Sequence, residues 1–146
     1  MSRFGHIVLI SLILGVLSTA AITSKVHATD CVPNWHVVQS KSIFVIDHLV
    51  YTPLGSVSLS RDGCGDIQAQ VMNAGEPISS ASLTITNASN NSTIYFSNSV
   101  QRRGIVAKIV SPIFSGYGGV PITVTGSVTD TTGLSASATT APDAGN

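Results

Sequence analysis

Basic side chains are scarce in this sequence. Seven Lys and Arg stand against seven Asp and Glu in 146 residues. Arg3 and Lys25 fall in an apolar N-terminal segment, which leaves Lys41, Arg61, Arg102, Arg103 and Lys108 against Asp30, Asp47, Asp62, Asp66, Glu76, Asp130 and Asp143. No basic stripe exists to neutralise a phosphate backbone, so nucleic acid is excluded as a partner, and Arg102-Arg103-Gly104 reads as a solvated turn. The chain also lacks HExxH, Walker, dinucleotide-binding and Gly-x-Ser-x-Gly patterns, which removes the common zinc-protease, nucleotide and serine-hydrolase chemistries. No cofactor is expected. Long helical periodicity is missing too and good helix caps are few, which argues against a helical domain.

What the N-terminus has is an export signal. Arg3 and His6 precede an apolar run from Ile7 to Ile22, and Val26-His27-Ala28 supplies small residues at the minus three and minus one positions of a cleavage site. The run is shorter than the roughly 20 residues a spanning helix needs. Residues 1–28 are therefore expected to be a cleaved signal peptide, residues 29–140 a single domain, and residues 141–146 a frayed tail. The expected location is secreted or periplasmic, with no membrane span after cleavage. Cys31 and Cys64 are the only cysteines and form no CxxC pair. In an oxidising compartment the natural reading is one disulfide between them.

The rest of the chain alternates. Val57 and Leu59, then Ile67, Ala69 and Val71, then Leu83 and Ile85, then Ile105, Ala107 and Ile109 each sit at every second position among polar neighbours, the period of a strand with one wet face. Trp35 to Val38 and Ile94 to Phe96 read as shorter strands. Ile43 to Tyr51 is nearly continuous in β-branched and aromatic residues and reads as a central strand buried on both faces, ended by Pro53 and Gly55. The clearest element is the last: Ile122, Val124 and Val128 alternate with Thr and Ser, Asp130-Thr131-Thr132-Gly133 has turn chemistry, and Leu134, Ala136 and Ala138 return. Gly126, inside the first of these strands, is expected at a bulge or a close approach. About eight short strands predict an all-β, antiparallel sandwich.

Two stretches carry a resemblance. Gly75-Glu76-Pro77-Ile78 followed by the alternating run to Thr86 resembles the Gly-x-Pro hairpin of bacterial immunoglobulin-like repeats. Ile122-x-Val124-x-Gly126-x-Val128-x-Asp130-x-x-Gly133 is similar to their last hairpin. Together they span about half of the exported chain. The resemblance implies an immunoglobulin-like sandwich with a binding, adhesion or spacer role and no enzymatic activity. Trp35, four residues after Cys31, departs from the cysteine, tryptophan, cysteine spacing of antibody domains, which implies a bridge other than the usual inter-sheet one.

Candidate site residues are few. Asp47 and His48 are adjacent, but neighbours in a strand point to opposite faces and so make no catalytic dyad. Asp62 and Asp66 offer carboxylates to calcium, although a tight turn around a disulfide explains the same residues. Trp35, His36 and Tyr117 are the candidate ligand surface, for an unidentified protein or glycan. Asn87, Asn90 and Asn91 head formal glycosylation sequons in an Asn-rich turn. Two alternatives to a binding module remain: a small exported hydrolase or metal enzyme built on Asp47, His48 and Asp66, and an inhibitor or effector presenting the Gly116–Gly119 or Asn87–Ser92 loop. No oligomeric state follows from these patterns.

Overall fold

A computed structural model describes residues 31–145 of the chain; the expected signal peptide and its cleavage site lie outside them. Of these, residues 33–145 belong to one compact unit. The described residues contain no helix and thus none long and apolar enough to cross a membrane.

Among the described residues, nine strands make two antiparallel sheets: β1 (His36–Asp47), β2 (Val50–Arg61), β3 (Ile67–Asn73), β4 (Ile78–Asn87), β5 (Ser92–Ser97), β6 (Gln101–Arg103), β7 (Val106–Val110), β8 (Ile122–Asp130) and β9 (Ser135–Thr139). One sheet has the order β1-β2-β3-β7-β6 and the other β5-β4-β8-β9. Their facing sides form the core of a sandwich. Ile43, Val57, Leu59, Ile67 and Val71 from the first sheet meet Leu83, Ile85, Ile122, Val124 and Val128 from the second, all fully buried. Each such side chain contributes roughly 1.5–3 kcal/mol of apolar burial. Buried polar groups stitch the loops to this core. Asn73 donates through Nδ2 to the carbonyls of Glu76 (2.7 Å) and Ile105 (2.8 Å) and accepts from Ala107 N–H (3.0 Å). Thr140 Oγ1 accepts from Val124 N–H (3.0 Å).

The β8–β9 hairpin has the expected form, with Gly133 at φ 92°. Gly126 is a close approach rather than a bulge. Its pairing with Leu83 and Ala138 is unbroken, and a Cβ there would lie 2.9 Å from Val57 Cβ and Val71 Cγ2 of the opposite sheet.

Four expectations fail. Ile43 to Tyr51 is not a central strand buried on both faces: it is the end of β1, a two-residue turn at His48 and Leu49, and the start of β2. Trp35 to Val38 is no separate strand, because β1 begins at His36 and runs on to Asp47. Nor do Pro53 and Gly55 end a strand, since β2 continues to Arg61. Proline is accommodated because Pro53 lies beyond the last β3 partner, Asn73 opposite Gly55, where β2 is flanked by β1 alone. Residues 141–145, expected to fray, are hydrogen-bonded in place. Ile122 and Asp143 exchange backbone hydrogen bonds (2.8 and 3.0 Å), and Gly119 N–H donates to the Ala144 carbonyl (2.9 Å).

Candidate functional site

Two regions hold the chemistry-bearing residues, one at each end of the β1–β2 pair. At the first end His36 lies opposite Arg61 in the strand register. Arg61 is 2% exposed. Its Nε donates to Asp143 Oδ1 (2.7 Å), Nη1 to the Tyr117 carbonyl (2.9 Å), and Nη2 to the carbonyls of Val120 (2.8 Å) and Asp143. A planar guanidinium suits this, because it projects several N–H groups in fixed directions at once. The Cys64 loop joins the same assembly: Tyr117 N–H donates to the Gly65 carbonyl (2.9 Å), and Gly65 packs so closely on Gly118 that a Cβ would lie 2.9 Å from its nitrogen.

The tertiary structure brings His36 and Tyr117 of the candidate surface to one end, with the Cys64 loop beside them, and Trp35, 39% exposed, directly precedes β1. Tyr117 is half-buried and packs on the core, and His36 Nδ1 lies 3.1 Å from the Asn34 carbonyl. The depression beside them, about 280 Å³, is lined by Arg61, the Asp62–Gly65 loop, Gly118, Gly119 and Gly145. It offers backbone amides and a guanidinium already spent on carbonyls, with no acid–base pair. Asp62 Oδ1 accepts from the backbone N–H of Cys64 and Asp66, both at 2.9 Å, so it closes the loop. Among the described residues no group of three or more His, Cys, Asp or Glu can hold a metal ion. Cys31 and Cys64 are disulfide-bonded.

The opposite end is different. From Phe44 to Pro53 the β1–β2 hairpin runs past the end of β3 as a two-stranded ribbon. Phe44, Ile46, Leu49, Val50 and Tyr51 are all exposed there, Leu49 by 98%. Register places Ile46 opposite Tyr51 and Phe44 opposite Pro53, which puts these four on one face. The Phe44 and Tyr51 rings lie 4.6 Å apart, tilted by 34°. The turn is made by His48 (φ 46°) and Leu49 (φ 68°), both left-handed, as a two-residue hairpin of the type I′ class demands. Asn-Gly is the usual solution, and a branched side chain in that region is disfavoured by about 1–2 kcal/mol. Because His48 sits in the turn and not in a strand, its Nδ1 reaches the Asp47 carboxylate, contrary to the expectation from strand alternation. Both side chains are open to water, 93% and 75% exposed, which leaves the pair without the enclosure acid–base catalysis uses.

This ribbon is the feature sequence reading missed. The one signal was the polar pair Asp47-His48 in the middle of an otherwise apolar run. No protein-family model, curated protein or solved structure matches the chain.

Proposed function

We propose that this chain is an exported, non-enzymatic binding module of immunoglobulin-like architecture, and that its working surface is the β1–β2 ribbon. The ribbon carries the proposal. Phe44, Ile46 and Tyr51, exposed on one face of the ribbon, and Leu49, exposed on a turn that disfavours it, form a patch of the kind that marks contact with another macromolecule. Aromatic and aliphatic side chains with little charge fit a protein surface.

Strand order supports the architecture. With β2 to β9 read as strands A, B, C, C′, D, E, F and G, the sheets become A-B-E-D and C′-C-F-G, the immunoglobulin arrangement, and β1 is an addition outside A. Cys64 then lies between A and B, so the disulfide staples a loop instead of bridging strands B and F. That bond supports export, because disulfides persist in oxidising compartments.

Site-specific photo-cross-linking in producing cells tests the surface. A probe at Leu49 or Tyr51 is expected to give discrete adducts that a probe at the exposed Thr132 does not. Equal labelling at all three positions overturns the assignment, as does a catalytic activity abolished by His48→Ala.

A further inference from the structure

The occupant of the ribbon can be narrowed, on the premise that the ribbon is the working surface. We propose that β1 pairs antiparallel with β1 of a second copy of this chain, joining two five-stranded sheets into one.

β1 is an edge strand: within its sheet it pairs with β2 alone, and among the described residues no other backbone is bonded to it. Unpaired edges are templates for another strand, and proteins commonly block them with proline or a charge. β1 contains no proline, and its only formal charges are Lys41 and Asp47. Lys41 has no ion-pair partner among the described residues. A lysine in mid-edge disfavours any register that sets it opposite another cation.

Self-pairing removes that obstacle in one register. With Phe44 on the two-fold axis, Lys41 of each copy stands opposite Asp47 of the other, Ser42 opposite Ile46, and Ile43 opposite Val45. Lys41 and Asp47 share a face by alternation, so both ion pairs lie on the same side of the joined sheet. Centring the pairing on Lys41 or on Asp47 instead sets like charges against each other, which is destabilising. The charges therefore select the register. In it, the exposed Phe44, Ile46 and Tyr51 of the two copies form one continuous apolar face, the self-complementary patch a two-fold interface requires.

Sedimentation of the exported protein tests this. The wild type is expected to form a dimer. Lys41→Asp, which sets Asp against Asp twice per dimer, should weaken it by about tenfold or more, and Lys41→Asp with Asp47→Lys should restore it. Both positions are exposed, so the fold is expected to survive, and a circular-dichroism spectrum checks that. A wild-type monomer at every soluble concentration, or a dimer indifferent to the single substitution, overturns self-pairing. If adducts from Leu49 and Tyr51 then join a different molecule, the ribbon keeps its binding role and only the second copy is rejected as occupant.

Discussion

At the scale of single residues, Asp130 shows how much one carboxylate organises. Its Oδ1 accepts from Thr132 Oγ1 (2.7 Å), Thr132 N–H (2.8 Å) and Leu134 N–H (2.9 Å). The Thr132 hydroxyl is the largest cause holding the Asp130 carboxyl below its ordinary value of 3.8; desolvation opposes it, and the N–H groups of Leu134, Thr132 and Gly133 reinforce it. A folded value below the unfolded one means stability that is present above about pH 4 and lost as pH falls through the folded value. Asp130→Ala should melt below the wild type at neutral pH, and the two melting curves should converge as pH is lowered below the ordinary carboxyl value of 3.8. Parallel curves would reject this role. Asp130, Gly133 and Gly126 were legible in the sequence because their work is local or depends on strand alternation. Arg61 was not. Its partners are 56 to 82 residues away, and nothing around it in sequence announces a buried guanidinium.

Among the elements, the β8–β9 and β1–β2 hairpins make opposite cases. Asp-Thr-Thr-Gly places a glycine where positive φ is needed and a carboxylate where backbone N–H groups converge, so the turn is written in its residues. His48-Leu49 contains neither glycine nor asparagine, and β-branched neighbours on both sides disguise the reversal as one strand. Replacing the pair by Asn-Gly should relieve left-handed strain and raise the unfolding free energy by about 1–2 kcal/mol, read from the denaturant midpoint. The same variant, carrying the probe at Tyr51, should lose cross-linking, because the apolar side chain at the tip is gone. A stability gain together with lost binding would mark the turn as kept for contact; no gain would reject the strain.

For the whole molecule, a domain of this size buries enough surface to fold but has a modest margin, so the disulfide matters. Closing the loop from Cys31 to Cys64 is worth about 3–4 kcal/mol in the chain-entropy treatment. Reductant, or paired Cys31→Ser and Cys64→Ser substitutions, should lower the denaturation midpoint accordingly; an unchanged midpoint would reject the bond as a staple. The Arg61 assembly complements it without cysteine by fastening residues 117–120 and 143 to the end of β2. The sequence by itself determined that the protein is an all-β sandwich with one disulfide, and it marked Gly126 as a bulge or a close approach. Alternation and cysteine count are properties of a chain read in one dimension, and they state which side of a strand is apolar. Only the tertiary structure decided that Phe44 to Tyr51 lies in the open beyond β3 and that residues 141–145 are docked. An apolar run reads the same whether a second layer covers it or not, and only the lengths of the neighbouring strands leave this one bare.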